Sequence, residues 1–240
     1  MTDPTPRLLL TQETPFASGG NRLCFVHPQD PSICVKVAHP DVSLAEKRKR
    51  KGLKGKLKPA VAFDENRSEQ RTLETLIKQI GPALHHHVPA YHGMIDTDLG
   101  LGIQVGLVRC TDGTIARTLK QRVWEDGVVP ALSTALETFA AYWIQHRIPS
   151  RALLLHNLVV EERPTGLHLW VIDGLGSSDL LPLSRWSPRL AQRKAQRKIA
   201  DLYERIDTLL MIKERGGNPG RHGFLPKAAT SELNNPTARG

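Results

Sequence analysis

The sequence predicts an α+β protein with a small β-rich N-terminal part and a larger, mostly helical C-terminal part. Three observations predict it. Ile33–Ala38 alternates Ile33, Val35 and Val37 with Cys34, Lys36 and Ala38 after a turn-rich loop, which is strand patterning. Leu132, Leu136, Phe139 and Trp143 recur at intervals of 4, 3 and 4 residues, an apolar helical stripe. Leu158–Val160 and Leu167–Ile172 flank a polar turn at 161–166, the pattern of a hairpin set within the helical part.

Taken in order, residues 1–14 read as a flexible leader carrying Pro4 and Pro6. Gly19-Gly20 makes a tight turn feeding a strand over Leu23–Val26, and His27–Ser32 is a run of turn formers before the second strand. Lys36 sits within that apolar second strand. Either its amine reaches a partner, such as a phosphate, or it blunts an exposed sheet edge. The run Lys47–Lys58, inside a basic insertion at 46–58, is either an arm that grips a polyanion or a solvated loop held open by self-repulsion. Asp64 can cap a helix over 64–80, with Leu73, Leu76, Ile77 and Ile80 at helical spacing and Glu65 and Glu69 on one face. Three consecutive residues cannot all face one ion on regular structure, so His85-His86-His87 reads as a loop before the next strand. Ile103–Val108 is apolar on both faces and reads as an interior strand.

The second part opens with helices over Thr118–Trp124 and Val129–His146. Arg185, Arg189, Arg193 and Arg197 lie four apart on a later basic helix, where they can bind a phosphate backbone, lie over acidic surface or face water. From Glu214 to Gly240 the composition turns to Gly, Pro, Asn and Arg, the signature of a disordered tail.

Composition limits the partners. A net charge of +9 favours anionic ones: nucleotide, nucleic acid or an acidic surface. No window approaches the ~20 apolar residues that span a bilayer, and Met1–Gln12 lacks a signal-peptide pattern, so no membrane insertion is expected. Cys24, Cys34 and Cys110 are odd in number and lack metal spacing, which points to free thiols and a cytoplasmic location. Cys24 and Cys34 can nonetheless face each other across the hairpin.

The predicted hairpin ends beside two oxygen donors, Asn157 before its first strand and Asp173 after its second. Oxygen ligands suit Mg²⁺, which usually takes one or two protein ligands plus phosphates. The order Asn-strand-turn-strand-Asp173-Gly174 resembles the catalytic and metal-binding loops of protein kinases. More closely, His146-Arg147-Ile148, His156-Asn157 and Ile172-Asp173-Gly174-Leu175-Gly176 resemble the PhoP regulatory network proteins of the YrbL type, a bacterial family with a kinase-like fold. The likeness runs from about Phe16 to Leu202.

The resemblance implies a bilobal protein-kinase-like fold. A nucleotide-covering lobe would span 15–108 and a helical lobe 109–213, with a hinge at Arg109–Thr114. It implies ATP and Mg²⁺ as cofactors, Gly19, Gly20 and Lys36 near the phosphates, Glu69 holding Lys36, and Asn157 and Asp173 on the metal. One departure is decisive for chemistry. Five residues before the Asn, where kinases place the catalytic Asp, stands Ala152.

Three functions follow. The leading one is a Mg-nucleotide-binding regulator whose catalysis is impaired at Ala152. The second is an active ATP-dependent phosphotransferase, with His156 or Asp179 as the base and an unknown protein or small-molecule acceptor. The third is a nucleic-acid-binding protein using Lys47–Lys58 and Arg185–Arg197.

Overall fold

Strand patterning in the N-terminal part produces one antiparallel sheet. The computed structural model describes residues 7–19, 21–41, 64–176 and 187–226. Gly20, the basic run Lys47–Lys58, Asp179, Arg185 and residues 227–240 therefore lie outside the described residues. The chain divides into two compact units, the first formed by residues up to Thr75 with Ala90–Leu107, the second by Leu76–Pro89 with Val108 onward. Segment 76–89, expected with the N-terminal part, thus groups with the C-terminal unit.

The first unit is built on a five-stranded sheet in the order β1-β2-β3-β5-β4. Its strands are β1 (Ala17–Ser18), β2 (Arg22–His27), β3 (Asp30–Ala38), β4 (Tyr91–Thr97) and β5 (Gly100–Gly106). Alternation along β3 sends Val35 and Val37 into a core with Leu8, Leu10 and Phe25, against which Leu23, Ile33, Ile95 and Leu99 pack. The other face of β3 carries Cys34 and Lys36. Since β3 pairs with both β2 and β5, Lys36 is on an interior strand, and the sheet-edge reading of this lysine is corrected. Helix α1 (Glu65–Ile80) starts as expected, with Asp64 Oδ1 accepting from the Arg67 amide at 3.1 Å.

The expectation of a flexible leader fails over 7–14. Leu8 pairs with Thr97, and Leu10 is fully buried. Asp98 clips the segment by accepting from the amides of Leu10 and Thr11 at 2.7 and 3.1 Å and from the Thr11 hydroxyl. The apolar run Leu8–Leu10 pins this stretch to the turn between β4 and β5.

In the second unit, β6 (Arg117–Thr118), β7 (Leu158–Arg163) and β8 (Gly166–Val171) form a three-stranded sheet. Around it lie α2 (Leu119–Asp126), α3 (Pro130–Gln145) and α4 (Pro188–Glu214). Thr118 caps α2, its Oγ1 accepting from the Gln121 amide at 3.1 Å, and Pro130 opens α3 where a missing N–H costs nothing. The stripe Leu132, Leu136, Phe139 and Trp143 is buried, and α3 packs against β8. On α4 the buried positions are Ala195, Ile199, Leu202, Ile206 and Leu209, leaving Arg189, Arg193 and Arg197 exposed to water. None of the described helices is long and apolar enough to cross a membrane.

The disordered-tail expectation also needs correction over 215–226. The Thr118 hydroxyl donates to the Gly223 carbonyl at 2.5 Å, Lys120 Nζ to that of His222 at 2.7 Å, and the Leu225 amide to Gln121 Oε1 at 3.1 Å. These contacts use main-chain groups, which composition does not reveal.

Candidate functional site

In the first unit, the side chains singled out by sequence meet on the face of β3 opposite the core. Lys36 is 5% exposed, and its Nζ donates to Glu69 Oε1 at 2.7 Å. The pair forms because β3 alternation points Lys36 toward α1, while helical spacing puts Glu69 one turn beyond Glu65. Arg22, from the start of β2, is ion-paired to the other Glu69 oxygen and lies 3.8 Å from Glu65. Asn66 ties helix to sheet, its Nδ2 donating to the carbonyls of Lys36 and Leu101 at 3.0 Å each. Gly19 closes the preceding turn, its amide donating to the Arg22 carbonyl at 2.9 Å. Sequence reasoning missed Arg22 and Asn66; their roles depend on register, which the sequence alone leaves open.

The three cysteines are free thiols, and Cys24 and Cys34 do approach each other on this face. Their hydrogen bond, then Lys36 and Arg22, lower the Cys24 pKa to about 7 against the opposing effect of burial. Cys34, the other partner in that bond, is pushed up, with burial adding to the effect.

In the second unit, the register of β7 and β8 brings their outer ends together. Leu158 stands opposite Val171, and the Ile172 amide donates to the Asn157 carbonyl at 2.8 Å. Asp173 follows, its Oδ1 accepting from the Gly174 amide at 2.6 Å. Gly174 has φ +82°, and a Cβ there would lie 2.5 Å from the Ala152 carbonyl oxygen and 2.9 Å from Asn157 Nδ2. Only glycine fits that corner.

The loop before it is laced to the same segment. The Arg151 amide donates to the Gly174 carbonyl at 2.8 Å and the Gly176 amide to that of Pro149 at 2.9 Å, with Ser150 bridging Leu175. Ala152 therefore lies beside the Asn157–Asp173 corner with its carbonyl in the contact and no polar side chain to offer. Arg147, φ +52°, is the one non-glycine among the described residues in the left-handed region, and it sits where α3 hands over to this loop.

His156 belongs to a short 3₁₀ turn, Leu155–Asn157. Its ring lies edge-on to His222 with centroids 4.4 Å apart, and a Cβ on Gly223 would fall 2.5 Å from its own Cβ. Burial, then the nearby His222 and Lys120, lower its pKa to about 4, so the imidazole is neutral at pH 7. It lines a cavity of about 530 Å³ together with Lys120, Leu154, Arg205 and Thr208. The C-terminal segment thus covers the histidine that sequence offered as a substitute base.

The run His85–His87 is not the plain loop expected. His86 ends a 3₁₀ segment (Gly81–His86), and the rings of His86 and His87 meet His168 from β8. Sequence reasoning missed His168, which is distant in the chain and carries no spacing signal.

A family profile described as PhoP regulatory network protein YrbL matches residues 8–207. The chain belongs to that family. The matched span includes Lys36, Glu69, Ala152, Asn157 and Asp173. It is also similar to the protein described as uncharacterized protein YrbL of Escherichia coli strain K12, at 26% identity over 196 residues, covering 78% of this chain and 82% of that protein. A protein of the same description from Shigella flexneri matches to the same extent.

Proposed function

We propose that this family member is a Mg-nucleotide-binding regulator with a kinase-like fold, impaired in phosphoryl transfer because Ala152 stands where a catalytic carboxylate is needed. The observation that supports this reading best is the Lys36–Glu69 pair: a lysine 5% exposed on an interior strand, held at 2.7 Å by a helix glutamate. Burying an ammonium is costly unless it is paired, and a held lysine amine is suited to a phosphate. In the second unit, Asn157 and Asp173 are the residues that would hold the cation. Their donor set fits it, since an amide oxygen and a carboxylate are hard ligands and the bare Gly174 leaves room for the Asn157 amide. When bound, the cation would neutralise phosphate charge. In the first unit, Lys36 held by Glu69 would offer its amine to a phosphate; in the second, Ala152 has no group to take a proton from an acceptor hydroxyl.

Thermal melting with and without Mg·ATP tests the reading. A rise in Tm for the wild type that is lost in Asp173→Ala supports it; a well-folded protein with no rise removes it. A second reading has its own support in the exposed Arg189, Arg193 and Arg197 of α4. If these grip nucleic acid, duplex DNA binding will fall steeply with salt, and flat or absent binding ends that alternative.

A further inference from the structure

We propose that His86, His87 and His168 form a binding site for a divalent transition-metal cation of the Zn²⁺ class, independent of the nucleotide reading. One ring nitrogen from each residue lies within 4.8 Å of the other two. His87 anchors the set. It is 1% exposed, its Nδ1 must carry the proton because it faces the Leu169 carbonyl at 2.7 Å, and its Nε2 is buried without a hydrogen-bond partner. Most buried side-chain polar atoms have a hydrogen-bond partner. Here one nitrogen of a histidine in the cluster is left over.

His168 repeats the device. Its Nε2 faces the His86 carbonyl at 2.7 Å and so donates there, which leaves Nδ1 as the ligand atom. For His87, which keeps its Leu169 contact, fixing the tautomer through a carbonyl on the far nitrogen is the usual support of a metal-bound imidazole; the His168 contact belongs to the metal-free chain. The scaffold around the cluster is firm. The Val171 amide donates to the His87 carbonyl at 2.7 Å, and the Tyr142 hydroxyl donates to that of Ala83 at 2.8 Å while its ring stacks on His86. Three neutral imidazoles favour Zn²⁺ and its neighbours over Mg²⁺, which prefers oxygen.

The rings of His87 and His168 lie 3° from parallel with centroids 4.5 Å apart. Lone pairs lie in the ring plane, so stacked parallel rings cannot share one ion. Zn–N bonds of about 2.0–2.1 Å in a tetrahedron put ligand nitrogens roughly 3.3 Å apart. Binding therefore requires the partly exposed His168 to leave its stack, giving up its contact with the His86 carbonyl, and the exposed His86 to move inward, while His87 stays fixed. The cation then fastens the 81–87 segment to β8, with a fourth position left for water or another ligand.

The test uses the full chain, stripped with a chelator and desalted, titrated with ZnCl₂ by calorimetry and with CoCl₂ as a spectroscopic probe. His87 is so buried that replacing it tests folding as much as binding, so His86→Gln and His168→Gln are the decisive variants. The expected result is one Zn²⁺ per chain, affinity weakened ~10-fold or more in each variant, and Co²⁺ visible bands without a thiolate charge-transfer band. Asp173→Ala binds Zn²⁺ as the wild type does, whatever its response to nucleotide. No binding by the wild type, wild-type affinity in either folded variant, or a thiolate-dominated Co²⁺ spectrum overturns the proposal.

Discussion

Replacing Glu69 should destabilise the protein more than replacing Lys36, although the two face each other in one ion pair. The side chains of Lys36 and Glu69 are 7% and 13% exposed, so both charges are largely out of water. Glu69→Gln removes the carboxylate that faces two cations at once, Lys36 and Arg22. Breaking a buried pair by deleting one partner costs about 3–5 kcal/mol, and the lower end, about 3 kcal/mol, applies where some solvent reaches the site. Lys36→Met leaves Glu69 with Arg22, so the loss is nearer that of one charged hydrogen bond, about 1.5–2 kcal/mol. The double variant should cost less than the two single costs added together, because no buried ammonium is left facing a neutral amide. Urea denaturation followed by circular dichroism gives the three values, and amide exchange of β3 shows that the effect is local. A Glu69→Gln cost below about 0.5 kcal/mol, or a Lys36→Met cost equal to it, refutes the account of this pair.

Gly174→Ala should cost about 2–3 kcal/mol by urea denaturation, from positive φ and the Cβ placed 2.5 Å from the Ala152 carbonyl. Gly166→Ala, with φ +124° and open space around it, should cost less, and equal costs would deny the close approach at Gly174. The clip at Asp98 gives a pH dependence. Hydrogen bonds from Thr11 and Leu10 lower its pKa from 3.8 to about 2, so its contribution to stability is complete above pH 3.8 and lost as pH falls through about 2. The amide NMR shifts of Leu10 and Thr11 should titrate with that midpoint; one near 3.8 means the leader is not held by this carboxylate. Ala152→Asp should leave the fold intact and raise ATP turnover at least ~10-fold if the missing acid limits transfer. Unchanged turnover in a variant that still responds to Mg·ATP places the limit elsewhere.

What the sequence disclosed were features governed by short-range periodicity. The period of two in β3 sorted Val35 and Val37 from Lys36, and the period of 3.6 put Glu65 and Glu69 on one face of α1, while the choice of Glu69 as the partner of Lys36 came from the family resemblance. The stripe from Leu132 to Trp143 was equally legible. The misses all involve partners far along the chain. Leu10 is held by Asp98, 88 residues away, so a leader with two prolines read as mobile. Residues 218–225 have the composition of a tail, yet their carbonyls and amides are caught by Thr118, Lys120 and Gln121 about a hundred residues earlier. The histidine run was judged by its own spacing, whereas its third member comes from a strand whose position depends on the register of β7 and β8.

The same distinction between backbone and side chain explains how a chain can carry Ala152 without losing its corner. The loop at 149–152 is joined to 174–176 by the Arg151–Gly174 and Gly176–Pro149 amide–carbonyl bonds and by the Ala152 carbonyl lying against Gly174. None of these contacts uses the side chain at position 152. The side chain at 152 therefore has no part in the main-chain contacts that hold this corner. Gly174 is the opposite case. Its missing side chain is a steric requirement of the corner, and a substitution there would push against the Ala152 carbonyl and the Asn157 amide. Position 152 is thus free to vary with function, while position 174 is bound to the geometry.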